Sequence, residues 1–173
     1  MAGVPAEVVE ALAPLVVHRR ELRADSGGAG RQRGGLGQWS EVGYRGDGLW
    51  YLSPMVDRTH HAAQGLAGGK PGAVGSVILS DGQRPKPKAL VTLTPHMRVQ
   101  LNPPGGGGYG HPHERPAEQV LADVVNGYVS IEAAEQEYGV VVRFLGQPSQ
   151  LVRMPEHYEI DWAATWLLRG LSA

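Results

Sequence analysis

The chain has 173 residues, 42% of them hydrophobic and 19% charged, which is enough for one domain with a core of its own. A formal net charge of −1 gives no electrostatic case for a nucleic-acid surface or an anionic membrane, and the lack of cysteine excludes disulfides, thiolate nucleophiles and cysteine-bound metal clusters. The 25 glycines and 13 prolines predict many turns and few long helices.

In chain order, residues 6–12 predict a short helix stopped by Pro14, and residues 15–23 a strand. The segment 25–37, DSGGAGRQRGGLG, is a long glycine-rich loop. Residues 38–44 and 49–52 read as two strands of a hairpin turned by RGDG. A second irregular stretch, 57–75, precedes strand candidates at 76–79, 89–93 and 98–101, with turns at Asp81-Gly82 and Thr94-Pro95-His96. Residues 116–125 place Val120, Leu121, Val124 and Val125 on one helical face, and Asn126-Gly127 ends that helix. Ser130 caps a helix over 131–138 that Gly139 terminates, VVVRFL at 140–145 has the pattern of a buried strand, and Asp161 caps a final helix over 162–169. No repeat and no second hydrophobic core stand out. The expectation is a single α+β domain over residues 1–173, with a β-rich body, long glycine-rich loops and short C-terminal helices.

No apolar run approaches about 18 residues, so no membrane span is expected. The start, MAGVPAEVVEALAPLVVHRR, carries acids early and does not read as a signal peptide, which points to a cytoplasmic chain.

Glycine loops suggest phosphate binding first, because exposed amides can cradle an anion and Arg31 and Arg33 stand nearby. The spacing argues against it. No G-x-G-x-x-G fits between Gly27 and Gly37. In GLAGGK the position five before Gly69 is Gln64, and Pro71 stands where a phosphate loop has Ser or Thr. Ser26 lacks a nucleophile-elbow pattern. His111 and His113 flank a proline and can converge on a metal if the loop is extended, but neither they nor His60-His61 have a carboxylate at zinc-site spacing.

Four blocks carry a resemblance: ELRADSGGAGRQRGGLGQ (21–38), GLAGGKPGAVG (65–75), the run from PPGGGGYGHPHER to EYGVVV (103–142) and DWAATWLLR (161–169). Together they resemble the hydantoinase B/5-oxoprolinase family, which includes the large subunits of acetone and acetophenone carboxylases. The resemblance implies part of an ATP-dependent hydrolase of cyclic amides (hydantoins, 5-oxoproline, lactams) or of a ketone carboxylase. It also implies an A-type partner subunit that binds ATP with Mg, while this chain binds no cofactor alone. The blocks resemble the C-terminal portion of a B-type subunit, so a separate N-terminal B-type piece is expected, with any metal on that piece. The rival expectation is a non-catalytic assembly module. Departures sit at His60-His61-Ala62-Ala63 and at Ala67, where family members carry prolines or an aromatic.

By this resemblance GGGGYG is a family element rather than a linker, with Tyr109 expected to anchor it by burying its ring. It and DSGGAGRQRGG are expected to form one wall of a site or subunit seam. The candidate contacts are Ser26, Gly27, Gly28, Gly106, Tyr109 and His111, with Arg31, Arg33 and Arg58 as anion or substrate contacts. No catalytic residue is assigned.

Overall fold

A computed structural model describes residues 4–147 and 154–170. After helix α1 (Ala6–Leu12), a four-stranded antiparallel sheet is built from β1 (Leu15–Leu22), β2 (Gln38–Tyr44), β6 (Arg98–Asn102) and β4 (Ser76–Leu79), in the order β1-β2-β6-β4. Two small antiparallel ribbons complete the strands: β3 (Trp50–Leu52) with β5 (Val91–Leu93), and β7 (Val142–Phe144) with β8 (Tyr158–Ile160). Helices α2 (Ala117–Val125), α3 (Ile131–Tyr138) and α4 (Trp162–Arg169) follow the sheet in sequence, giving an α+β fold.

The helices start and stop where their local chemistry dictates. The Ser130 hydroxyl accepts from the Ala133 amide at 3.0 Å, and Asp161 Oδ1 accepts from the Ala164 amide at 3.1 Å. Gly139 and Gly170 close α3 and α4 in the left-handed region. In β1 the register shifts between Val17 and Arg19, which leaves His18 unpaired. Gly43, paired with Val16 one step before the bulge, leaves room for this side chain: a Cβ there would sit 2.6 Å from His18 Nε2.

Three expectations change. The RGDG turn does not make a hairpin: β2 pairs with β1 and β6, while β3 pairs with β5 in a separate ribbon. The strand expected over 140–145 shortens to β7, because the Val140 amide donates to Ala134 O on α3 and the Val141 amide to Thr165 Oγ1 on α4, and β8 supplies a partner that the sequence did not signal. There are also two buried apolar clusters rather than one. Val77, Leu79, Leu93 and Val99 pack between the large sheet and the β3–β5 ribbon. Val120, Val124, Ala134, Tyr138, Val140 and Tyr158 form the helical core, and Ala29 of the first glycine loop belongs to it.

The sheet order sends every glycine loop to one end. The first loop joins the end of β1 to the start of β2, where Leu22 pairs with Gln38. The second enters β4 at Ser76, which pairs with Asn102 at the end of β6, and the third leaves from Asn102. The Asn102 amide Nδ2 donates to Ser76 Oγ at 2.9 Å and ties those two exits together.

Beyond that edge the three loops pack backbone on backbone. A Cβ on Gly105 would lie 1.7 Å from the Ser26 carbonyl oxygen, one on Gly34 2.1 Å from that of Gly106, and one on Gly108 2.2 Å from that of Ala29. Contacts under 3 Å to backbone cannot be relieved by a side-chain rotation. Gly35 lies in the same loop with open space where its Cβ would be. We therefore expect Gly105→Ala to lower the thermal midpoint by at least about 5 °C or abolish soluble folding, with Gly35→Ala within about 0.5 kcal/mol of wild type. Equal stabilities of the two variants in a thermal melt would show that the contact yields.

Candidate functional site

The seam is a hydrogen-bonded lattice. The Gly28 amide donates to Gly106 O at 2.8 Å, Gly106 to Gly35 O at 2.8 Å, Lys70 to Ala29 O at 2.7 Å and Gly108 to Lys70 O at 2.9 Å. Gln32 and Tyr109 exchange both of their backbone bonds at 2.9 Å. Ser26 is fully buried and works as a clasp: its hydroxyl donates to Arg23 O at 2.5 Å and accepts from the Gly37 amide at 2.8 Å. These amides point at carbonyl oxygens of neighbouring loops, so they are not available to an anion. A phosphate cradle in these loops would have to do without these amides.

The structure places Ser26, Gly27, Gly28, Arg31, Arg33, Gly106, Tyr109 and His111 at this seam or its rim. Two details differ. Tyr109 keeps 49% of its surface exposed, and it is the backbone pairing with Gln32, not a buried ring, that anchors the loop. Gly106 is among the roomier seam glycines, its Cβ position 3.2 Å from the Gly35 amide, so it is a weaker probe of the packing than Gly105. Arg58 lies outside the lattice. It lines a cleft with His60 and His61, and its carbonyl accepts from the Gly75 amide at 3.0 Å.

A buried charge cluster fastens the seam to the helices. Asp123 on α2 accepts from Arg33 Nε at 3.2 Å and from Arg115 Nη2 at 2.9 Å. Arg33 also donates to Gly34 O at 2.8 Å and lies over the Tyr128 ring, while Arg115 donates to Arg31 O at 3.1 Å. The three side chains are only 10–17% exposed. Arg33, expected as a substrate contact, is therefore an internal strut. Arg31 is the exposed member of the pair, facing Glu114 at 4.0 Å. Asp25 is a second strut: its Oδ1 accepts from the Ser130 amide at 2.8 Å. Neither Asp123 nor Asp25 was singled out in the sequence. Asp123 had a readable signal, because it sits beside Val120 and Val124 on the apolar face of α2, and a charge on such a face is paired.

At the loop exit a 3-10 turn over Pro112–Glu114 holds the histidines. His111 Nδ1 accepts from the His113 amide at 3.3 Å, and the two rings stand edge to face, their centroids 5.1 Å apart. Among the described residues no group of three or more His, Asp or Glu side chains is placed to hold a metal, so this pair has no third ligand there. Partial burial holds the His113 imidazole below its usual pKa, helped by the nearby charges of His111, Arg169 and Lys70. Burial pushes the Tyr138 phenol up to about 12 against the opposing pull of Arg115, so it remains a neutral hydroxyl at pH 7. Arg169 donates to Tyr138 O at 3.1 Å and to Arg115 O at 2.9 Å, closing the helical side.

This geometry defines an α+β module whose loops are built for mutual packing. The family model for hydantoinase B/oxoprolinase matches residues 1–112, more than half of the chain, and the protein belongs to that family. It is 40% identical over 157 residues to the beta subunit of caprolactamase from Pseudomonas jessenii, covering 82% of this chain and 26% of that one. It is 37% identical over 144 residues to a putative D-/L-hydantoinase B subunit of Pseudomonas sp. strain NS671, covering 80% and 24%. Its fold matches the ATP-dependent caprolactamase from Pseudomonas jessenii with a TM-score of 0.73 at 34% identity, over 96% of this chain and 28% of that one. It also matches nucleotide-free acetone carboxylase with a TM-score of 0.77 at 25% identity, over 96% and 26%. The chain spans about a quarter of the length of these relatives.

Two outcomes test the charge cluster and its rim. Asp123→Asn strands two buried guanidiniums and is expected to cost about 3 kcal/mol in urea unfolding, with Arg33→Met added on top recovering part of the loss. A cost under about 0.5 kcal/mol would remove the cluster from the account. For His113 the folded pKa lies below the unfolded one, so the unfolded chain binds the proton more readily. Its contribution to stability is complete above about pH 6.5 and is lost as pH falls from there through the folded pKa. Thermal midpoints of His113→Asn should therefore fall less steeply than wild type below about pH 6.5. Parallel curves would contradict this.

Proposed function

We propose that this chain is one piece of a B-type subunit in an ATP-dependent complex that hydrolyses cyclic amides. The observation that carries the reading is the 40% identity to a caprolactamase polypeptide across 82% of the chain. The lattice supports a division of labour. Many of its amides are already bonded to carbonyls of neighbouring loops, and in this reading ATP with Mg binds an A-type partner subunit. The separate N-terminal B-type piece supplies the rest of the subunit and any metal, and this chain corresponds to the subunit's C-terminal portion. The cytoplasm is its compartment in this reading. No helix among the described residues is long and apolar enough to cross a membrane.

The outer side of α4 supports a covered surface. Leu167 is 82% exposed there, and Leu168, Trp162 and Trp166 are exposed as well. A second reading, part of a ketone carboxylase, draws on the match to acetone carboxylase; the lower identity, 25%, ranks it behind the lactam hydrolase. In the assembly-module reading the seam residues act only as struts, which fits the internal roles found for Ser26 and Arg33.

A tagged chain recovered from its native cell extract should bring with it an ATP-binding subunit and a larger B-type polypeptide. The complex should then hydrolyse a lactam or hydantoin only with ATP and Mg. Ketone carboxylation instead would select the second reading. Recovery of the chain alone, folded and monodisperse, would refute the split-subunit proposal.

A further inference from the structure

A cleft of about 960 Å³ lies apart from the seam lattice, between residues 56–62 and the segment RPKPK at 84–88, with Val77 on its floor. Four cations line it (Arg58, Arg84, Lys86 and Lys88) against the single carboxylate of Asp57. None of these four side chains makes a hydrogen bond or ion pair within the described residues. Every other described Lys and Arg makes one. Arg19, Arg31, Arg33, Arg45, Lys70, Arg98, Arg115 and Arg143 pair with carboxylates. Arg20, Arg23 and Arg169 donate to carbonyls. Among the described residues the unpartnered Lys and Arg charge of a chain of net charge −1 thus gathers in one concave place, where like charges repel until an anion arrives.

The backbone is also set there. Arg58 and Lys88 have φ of 54° and 64°, so two of the four non-glycine residues in the left-handed region are cations of this cleft. Holding a long side chain in that conformation costs stability, and such residues persist where surrounding contacts enforce them. The enforcing contacts are present. The Lys88 amide donates to Pro54 O at 2.9 Å, and Arg58 O accepts from the Gly75 amide at 3.0 Å, fixing both walls. Prolines alternate with the cations of RPKPK, limiting the backbone freedom lost on binding and giving the cleft an apolar lining beside its charge.

We propose that this cleft binds a small organic oxyanion carrying at least two negative charges, a phosphate ester or a polycarboxylate. Its volume lies at the upper end of the range for small-molecule sites, and cations beside proline rings suit an anionic head on a carbon skeleton. The inference does not rest on the lactam-hydrolase reading, because its readout is binding by the chain itself.

Isothermal titration of the full chain at low ionic strength, with pyrophosphate, ATP and citrate as separate probes, tests it. Saturable one-to-one binding that weakens as salt rises is expected, and Arg84→Ala/Lys86→Ala should weaken it about tenfold or more. Tighter binding of pyrophosphate and ATP identifies a phosphate ligand; tighter binding of citrate identifies a carboxylate. Arg58→Gly removes a charge while leaving the left-handed conformation accessible, so it should weaken binding as well, with an unchanged melting temperature showing that the fold is intact. Arg45→Ala, away from the cleft, should bind as wild type. No saturation by any of the three probes at about 1 mM, binding indifferent to the cleft variants, or binding of an acidic peptide alone would overturn the proposal.

Discussion

Three lengths of chain meet here at distances that only a bare α-carbon allows. Where the Gly105 hydrogen lies, a methyl group would stand 1.7 Å from a carbonyl oxygen, and the arrangement repeats from loop to loop. The lattice replaces side-chain packing with amide-to-carbonyl bonds, so its loops need no apolar side chains between them and can cross the space between two cores. Each glycine gives up more conformational freedom on folding than another residue would. The offset comes from the sheet edge that delivers all three loops together, and from the bonds that no side chain interrupts.

Charge fastens this lattice to the rest of the molecule. Two guanidiniums share one buried carboxylate, and each also reaches a loop carbonyl, so Asp123 indirectly fixes the positions of Arg31 and Gly34. Ala29 adds a methyl group that enters the helical core from the loop side. The parts that the family likeness marks as important are therefore largely positioning devices. What is left open to solvent is different in kind: the Tyr109 ring, Arg31, His111 and the outer side of α4.

Local chemistry made much of the architecture readable. Ser130, Gly139 and Asp161 each declared a helix boundary through a cap that needs no tertiary knowledge, and the bounds of α1, β2, β4, α3 and α4 agree with the periodicity. What failed was pairing. Arg45-Gly46-Asp47-Gly48 has the composition of a hairpin turn, yet β2 already has partners on both sides, so β3 goes to β5 instead. β8 was invisible because three residues, Tyr158–Ile160, carry too little pattern to stand out. The candidate site was legible as a grouping and not as a set of roles. The glycines announced close approach but not what approaches them, and an arginine reads the same whether it meets a ligand or Asp123.

The lattice also sets an order of events during synthesis. Its segments lie far apart in sequence, at 26–37, 63–73 and 105–110, and each takes its partners from the other two. A nascent chain leaving the ribosome exposes the first loop long before Gly106 exists to receive the Gly28 amide. Until then that loop is a stretch of unsatisfied backbone, and the β1–β2 pair holding its ends is the one piece of sheet already able to form. The helical core cannot be completed earlier either, since Ala29 enters it from this loop. A protein built this way closes late and across its whole length, and a translation stop before residue 105 leaves the first two loops without every partner that the third supplies.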